Sequence, residues 1–394
     1  TLHVGNIPSK VGFVVGNNSG TIENVHVTNG FVQGKKRVGG IAGCAMRAIG
    51  YSDMKPALKD VSFQGEIKGT ERVGGIVGET DEATIDSAVA DVNIIAIDGR
   101  VGGIVGFNDG RIANSRSKGT IVPGESDVNN VGGIAGESEG DVQMCVSTMD
   151  LVRYGYEFDE DVGGIVGDND KGTVSHSYAI GKVEGERYVG GVVGSGGFVQ
   201  SSFAMGEVRG SYKVGGVAGA DASIFNSYAA NKVLGDSLVG GLIGYSPDTI
   251  FSSYWNTEIS GLDTSAGGTG LSTAKMVKLS SFAGWDTLGY DEYVVDGTDT
   301  CEYFIYAGAC YSLTGNFIRD WNIDEGKTFP YLANNPYSKK SFIPIATPTV
   351  AAKWQEQPPV ASLTEVDGEL VGKWLGWVNL GDRYDTVSGD YTSF

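Results

Sequence analysis

A short hexapeptide recurs along most of the chain and limits what the chain can fold into. Its pattern is Val-Gly-Gly, two apolar residues and Gly, with Phe replacing the second Gly in the first copy. The copies begin at residues 11, 38, 73, 101, 131, 162, 189, 214 and 239, so nine copies follow one another at intervals of 25 to 35 residues. Such a period is typical of repeat architectures, in which each unit buries its apolar face by stacking on its neighbours.

The segment between hexapeptides has a frame of its own, as in TVSHSYAIGKVEG (173–185) and FVQSSFAMGEVRG (198–210). Its second and eleventh positions are apolar in all nine units. The predicted second column is Ile22, Leu58, Ile85, Ile112, Val142, Val174, Val199, Ile224 and Ile250; the predicted eleventh is Phe31, Ile67, Ile94, Ile121, Leu151, Val183, Val208, Val233 and Ile259. Short Val- and Ile-rich runs broken by Gly, Asn, Asp or Ser favour strands and turns over helices.

The sequence therefore predicts an all-β fold, a β-solenoid (β-helix) of about nine coils over residues 1–261. In a stacked β-coil each residue lies above its counterpart in the next coil, about 4.8 Å away. Glycine weakens an isolated strand. We therefore expect the paired glycines to occupy a corner where close backbone approach leaves no room for a side chain.

The spaced VGGhhG units, with h apolar, and the SYAxGxVxG segments between them resemble GLUG-motif repeats over roughly residues 11–261. That family occurs in bacterial secreted and surface proteins, including large adhesins. The resemblance implies a secreted or bacterial cell-surface protein with a non-catalytic, structural or adhesive role: a rigid stalk, an adhesin segment or a filament subunit. Its partners would be further copies joined end to end, or other cell-surface or matrix components.

The remaining chain departs from the repeat. Residues 262–334 break the period and are predicted to form a small C-terminal cap over the last coil's strand edges. An inserted loop there carries Cys301 and Cys310, which we predict to form a disulfide. Residues 335–394 are predicted to be an extended, proline-containing tail or the start of a further module. Cys44 and Cys145 fall in different columns three coils apart and are not expected to pair.

An aromatic column is the clearest candidate for ligand binding. Tyr178, Phe203, Tyr228 and Tyr254 follow one another at spacings of 25, 25 and 26 residues and should stack on consecutive coils. Facing outward, the rings would form a flat strip for sugar rings or a partner protein. Facing inward, they would be an internal ladder. Both interpretations remain open at this point.

Acidic turns follow several hexapeptides. Asp109, Glu137, Asp168 and Asp170 lie in these turns, and stacked carboxylates at one corner would suit a calcium ion. The alternative is that they are ordinary turn residues, because Asp, Asn and Gly are what tight turns need. No other cofactor is expected.

Charge and composition exclude several function classes. The net charge of −19 argues against nucleic acid as a partner, and no apolar run is long enough to span a membrane. The three histidines do not form the HExxH pattern of a zinc peptidase. No enzymatic activity is expected. The alternative function is a carbohydrate-active enzyme or glycan-binding module on a β-helix, in which facing acids would line a cleft.

Overall fold

A computed structural model of the protein describes residues 9–48, 55–124, 128–152 and 160–283, followed by 285, 305–306, 309–310, 321–323, 326–333, 335, 338, 362–366, 369–373 and 390–391. Three parallel sheets, here named A, B and C, dominate this part of the chain. Each coil contributes one strand to sheet A, one to sheet B and one or more to sheet C. The predicted all-β solenoid is confirmed.

The hexapeptide supplies sheets A and B, which hold nine strands each. The strands of sheet A are Val11–Gly12, Lys36–Gly39, Glu71–Gly74, Val101–Gly102, Val131–Gly132, Val162–Gly163, Arg187–Gly190, Tyr212–Gly215 and Ser237–Gly240. Those of sheet B are Val15–Asn18, Ala42–Ala45, Val77–Thr80, Val105–Asn108, Ala135–Ser138, Val166–Asp168, Val193–Ser195, Ala218–Ala220 and Ile243–Tyr245. Nine strands stacked this way make nine coils.

The segments between hexapeptides form sheet C, which holds twenty strands. They are Thr21–Gln33, Ala57–Gly69, Thr84–Asp86, Val89–Ala96, Arg111–Ala113, Arg116–Pro123, Asp141–Gln143, Val146–Leu151, Thr173–Ser175, Tyr178–Ala179, Val183–Glu184, Phe198–Gln200, Phe203–Ala204, Val208–Arg209, Ser223–Phe225, Tyr228–Ala229, Val233–Leu234, Ile250–Phe251, Tyr254–Asn256 and Thr269–Leu271. The last of these extends the sheet beyond the ninth coil by pairing with Tyr254–Asn256.

The register of sheet C follows the sequence frame. Its second column runs in consecutive parallel pairs from Ile22 to Ile250. From the second coil to the eighth these side chains are fully buried in one continuous apolar interior. The fourth frame position adopts positive φ in all nine coils, between 40° and 58°, including His176 at 49°. His176 is therefore a turn residue in a column that also contains Asn24 and Ser252.

The paired glycines lie where the prediction places them, at the corner between sheets A and B. A Cβ on Gly190 would lie 1.8 Å from the Val193 carbonyl oxygen. One on Gly191 would lie 2.2 Å from the Gly216 oxygen of the next coil and 2.6 Å from the Ala204 Cβ across the interior. Backbone atoms at Gly190, and backbone together with the sheet C residue Ala204 at Gly191, leave no room for side chains.

Two members of the predicted eleventh column are wrong. A β-bulge between Val27 and Gly30 adds a residue to the first coil, so that Val32 rather than Phe31 pairs with Ile67 and is buried. Ile259 lies in a short helix, Thr257–Ser260. The side chain of Asn256 caps this helix at its start, and Gly261 ends it in the left-handed conformation.

A column of hydroxyl groups stabilises the turns between strands of sheet C. Each serine Oγ accepts the backbone N–H of the preceding coil and donates to the carbonyl two residues before it. Ser202, for example, accepts from Ser177 at 3.2 Å and donates to Gln200 at 2.8 Å. Cys145 occupies this column, where its thiol donates to the Gln143 carbonyl. From the fourth coil to the ninth the column thus holds a small side chain with a donor, whereas the first three coils have Val25, Val61 and Ala88 there.

The chain divides into two compact units. The first comprises Thr1–Ser272 and Asn335–Tyr337 and contains the solenoid; the second comprises Thr273–Asn334 and Ser338–Phe394. The elements of the second unit are the helix Thr273–Met276, the 3₁₀ helix Leu279–Ser281 and the strands Ile305–Tyr306, Ala309–Cys310, Trp321–Asn322, Tyr331–Leu332, Ser362–Val366, Glu369–Lys373 and Asp390–Tyr391. Its strands pair antiparallel, and Trp285 stacks between Phe282 and Trp321. The capping role predicted for residues 262–334 stays a prediction.

Candidate functional site

The aromatic column stacks as the repeat period predicts. Tyr178 pairs with Phe203, Phe203 with Tyr228 and Tyr228 with Tyr254 in the register of sheet C. The first two ring pairs are parallel within 4°, with centroids 4.7 and 5.0 Å apart. This is an offset-stacked ladder of the kind that adds to the stability of neighbouring strands.

The ladder offers no exposed surface to a ligand. All four rings are at most 5% exposed. The alternating residues Ala179, Ala204 and Ala229 belong to the interior apolar cluster, whereas the rings do not, so the rings project from the other face of sheet C. The interpretation as a sugar-binding strip needs open ring faces, and this burial does not supply them.

Asn335 belongs to the first unit and lies near the start of this ladder. The Asn335 side chain is buried and donates a 2.8 Å hydrogen bond to the backbone oxygen of His176. Burial of Tyr178 raises the pKa of its phenol above the ordinary value. The aromatic column is thus a packed element of the fold.

The four acids proposed to bind calcium do not converge. Glu137 is buried and bound by Arg100 and Asn130, while Asp170 is exposed and pairs with a lysine. Asp109 is exposed, and of the other three acids only Glu137 is the register partner of Asp168 in sheet B. Within the described ranges no three or more His, Cys, Asp or Glu residues form a group that could hold a metal ion. The calcium hypothesis is not supported, because arginine supplies the positive charge at Glu137.

A ladder that sequence reasoning missed follows the corner between sheets A and B. It consists of the residue immediately before each hexapeptide and the residue immediately after it, and we call it the corner ladder. The first set is Lys10, Arg37, Arg72, Arg100, Asn130, Asp161, Tyr188, Lys213 and Leu238, all with φ between 51° and 65°. The second set is Asn17, Cys44, Glu79, Phe107, Glu137, Asp168, Ser195, Ala220 and Tyr245.

In the first half of the corner ladder, arginine side chains contact acidic or aromatic side chains of neighbouring coils. The carboxylate of Glu79 receives Arg72 of its own coil and Arg37 of the coil before. The ring of Phe107 lies between Arg72 and Arg100, with each guanidinium carbon 5.5 Å from the ring centroid. Glu79, Phe107 and Glu137 thus each lie between two residues that precede hexapeptides, which joins neighbouring coils laterally.

The sixth coil interrupts this complementarity. Asp168 lies beside Asp161 rather than beside an arginine, and its pKa is raised to about 7 by burial and then by the charges of Asp161 and Glu137. Burial also raises the pKa of Asp161 to about 6, although its carboxylate accepts a hydrogen bond from Ser195. The pKa values of these two carboxyl groups therefore lie close to neutral pH.

In the last three coils, aromatic rings rather than carboxylates contact the basic side chain of the corner ladder. The ammonium of Lys213 lies 4.5 Å from the ring centroids of both Tyr188 and Tyr245. Within the described part of the chain its charge is balanced by π-faces rather than by a carboxylate. The signal for the ladder is visible in the sequence as Lys or Arg before the first four hexapeptides, but only the coil geometry shows what these side chains meet.

The cysteines divide into two groups. Cys44 and Cys145 are buried and free, which confirms that they do not pair with each other. Burial raises the pKa of Cys44 to about 11 and that of Cys145 to about 12, so both thiols stay protonated near neutrality. Cys301 and the side chain of Cys310 lie outside the described residues, and their disulfide stays a prediction.

Comparison with family models identifies one of these coils. Residues 98–122 match the model described as the GLUG motif. The chain contains a GLUG motif. The matched residues run from the sheet A strand Val101–Gly102 through Val105–Asn108 to Arg116–Pro123, which is one coil of the solenoid. The predicted resemblance to GLUG repeats is confirmed at this coil, and the other eight coils pair with it or with one another in the same register.

Other comparisons add no relative. No curated protein and no solved structure matches the chain. Among the described helices, none has the length and apolar character needed to cross a membrane.

Proposed function

We propose that this protein is a non-catalytic structural component of the outside of a bacterial cell, in which stacked GLUG coils form a rigid stalk or surface-display segment. The observation that carries the proposal is the continuous register of nine coils. Every step between coils is made by parallel backbone pairing in three sheets, and one apolar interior runs through the stack. Such a body gains length and stiffness with each added coil.

The side chains outside the interior also support a structural role. The glutamates of the corner ladder are bound by arginines, and the stacked aromatics are buried. Catalytic carboxylates would have to be free to face a substrate. A net charge of −19 favours solubility in a saline exterior, and the GLUG resemblance favours secretion or surface attachment.

Labelling of intact source cells tests this location. An antiserum raised against the purified chain should label unpermeabilised cells or detect the protein in the culture fluid. A cytosolic marker probed in parallel should appear only after lysis. Detection of the protein exclusively together with that marker would refute the proposal.

A glycan array tests the proposal that the protein is not a catalyst. The labelled full-length chain is incubated with immobilised acidic and neutral oligosaccharides, and each spot is then examined for mass loss. We expect no cleavage of any oligosaccharide. Shortened glycans would instead support the carbohydrate-active enzyme.

A further inference from the structure

The first half of the corner ladder follows a rule that can be applied to the ninth coil. In the third, fourth and fifth coils, the residue after the hexapeptide contacts two residues that precede hexapeptides, one from its own coil and one from the coil before. Phe107, for example, lies between Arg100 of its own coil and Arg72 of the preceding coil. An aromatic ring at this position is therefore flanked by two guanidinium groups.

Tyr245, the residue after the ninth hexapeptide, has a cation at one of these two positions. The ammonium of Lys213, from the preceding coil, lies 4.5 Å from the centroid of its ring. The position in its own coil, which Arg100 holds beside Phe107, is held by Leu238. Among the described residues no second cation lies over the Tyr245 ring.

The other tyrosines near this corner each contact two cations. The ring centroid of Tyr188 lies 5.5 Å from the guanidinium carbon of Arg187 and 4.5 Å from the ammonium of Lys213. The ring of Tyr212 lies 5.7 Å from each of the same two groups. Tyr245 thus differs from its neighbours because an aliphatic residue stands where the pattern has a cation.

The surroundings of Tyr245 favour a positively charged partner. Its side chain is 44% exposed, and that of Leu238 is 38% exposed. The neighbouring turns carry Asp221, Asp236 and Asp248, which are exposed and form no ion pair with any described residue. A cation that reaches this point would meet an aromatic face, an aliphatic contact for its stem and a negative field.

We propose that Tyr245 and Leu238, here called the ladder end, bind an arginine side chain from a basic segment of a partner protein. The guanidinium would lie over the Tyr245 ring as Arg100 lies over Phe107, and its aliphatic stem would pack against Leu238. Arginine fits better than lysine, because its planar guanidinium stacks on aromatic faces and is more weakly hydrated. The net charge of −19 assists the encounter with a basic segment.

Fluorescence anisotropy with the full-length chain tests this interface. The probe is a dye-labelled, acetylated tetra-arginine amide at about 150 mM salt, where long-range attraction between exposed charges is largely screened. We expect saturable binding to wild type and none of the tetra-citrulline peptide, which keeps the shape of the probe without its charge. Tyr245→Leu should weaken binding by about three- to tenfold. The matched control is Phe251→Leu, because Phe251 is an equally exposed aromatic residue of the same coil and should not affect binding.

Leu238→Arg tests the proposal from within the chain. This variant supplies the second cation itself, so it should raise the midpoint of urea unfolding and weaken binding of the tetra-arginine probe at least about threefold. Thr249→Arg adds the same charge at another exposed position of the ninth coil, and it should change the midpoint and the affinity much less.

Four results would overturn the proposal. They are absence of binding to wild type up to about 1 mM probe, equal binding of the citrulline peptide, full affinity in Tyr245→Leu, and equal effects of Leu238→Arg and Thr249→Arg. Location outside the cell plays no part in these outcomes. They are therefore independent of the labelling of intact cells.

Discussion

Replacing Gly216 by alanine tests the explanation of the paired glycines at a single atom. Gly216 holds the third hexapeptide position of the eighth coil. An added Cβ would lie 2.2 Å from the backbone oxygen of Gly241 in the next coil and 2.6 Å from the Cβ of Ala229 across the interior. Real Cβ atoms do not approach other atoms so closely, and neither neighbour is the flexible end of a long side chain.

The expected loss of stability is large for one methyl group. Overpacking of a core usually costs 1–3 kcal/mol. At Gly216 the steric clash can be relieved only if the eighth coil separates from the ninth or sheet C moves away. We therefore expect the free energy of unfolding to fall by roughly 3 to 5 kcal/mol, among the largest single-site effects. The matched control is Gly20→Ala, because nothing lies within 4 Å of a Cβ added there. That change should stay within about 1 kcal/mol of wild type.

Two measurements separate these variants. Urea unfolding followed by far-UV circular dichroism gives the midpoints, and hydrogen exchange shows which coils lose protection, since a repeat protein need not unfold in one step. Gly216→Ala should lower the midpoint and expose amides in the eighth and ninth coils first. Equal midpoints for Gly216→Ala and Gly20→Ala would refute the close-packing explanation.

Three further predictions concern polar groups. The pKa of Asp168 is raised from 3.8 to about 7, so the fold is progressively destabilised as the pH rises from about 4 through 7. Asp168→Asn should therefore stabilise the fold at pH 8, by at most about 4 kcal/mol for a shift of about three pKa units, and leave it unchanged at pH 3.5. Equal urea midpoints of the variant and wild type at pH 8 would contradict this. Ser202→Ala leaves the buried N–H of Ser177 without its acceptor and should cost about 1–3 kcal/mol in urea unfolding, more than Ser202→Cys does. Cys44 and Cys145 should resist iodoacetamide at pH 8 in the folded chain and react in urea, as followed by mass spectrometry; labelling at equal rates in both conditions would be inconsistent with their burial.

Most of the fold could be predicted from the sequence because equivalent positions in successive coils have the same surroundings. Residues in one column must share size and polarity, so the columns from Ile22 to Ile250 and from Tyr178 to Tyr254 emerge from alignment of the chain with itself. The glycine corner is predictable for the same reason. A position that excludes side chains in one coil excludes them in the next, and Gly191 and Gly216 meet equivalent obstacles.

The misplaced residues are those where one coil differs from the rest. The extra residue after Val27 shifts Phe31 out of the interior, and a column taken from the other coils does not reveal a bulge. Ile259 leaves its column because Asn256 and Gly261 together cap a helix, a local signal that outweighs the repeat at the end of the stack.

The candidate site was harder to predict than the fold. Periodicity places Tyr178 and Phe203 above one another but does not determine which face of sheet C they occupy or what covers them. The corner ladder was missed because its partners come from different coils. Arg37 meets Glu79 forty-two positions later, at a distance that no local pattern reports.

The rise per coil is the most direct test of the stacked solenoid. Spin labels are placed at Thr21 with either Asp141 or Thr249, exposed residues of the same frame column, in a chain whose Cys301 and Cys310 are replaced by serine. Four and eight steps of about 4.8 Å predict mean separations near 19 and 38 Å in pulsed electron–electron resonance, the second about double the first. Two similar distances, or separations that do not grow with the number of coils, would contradict a solenoid of nine coils in register.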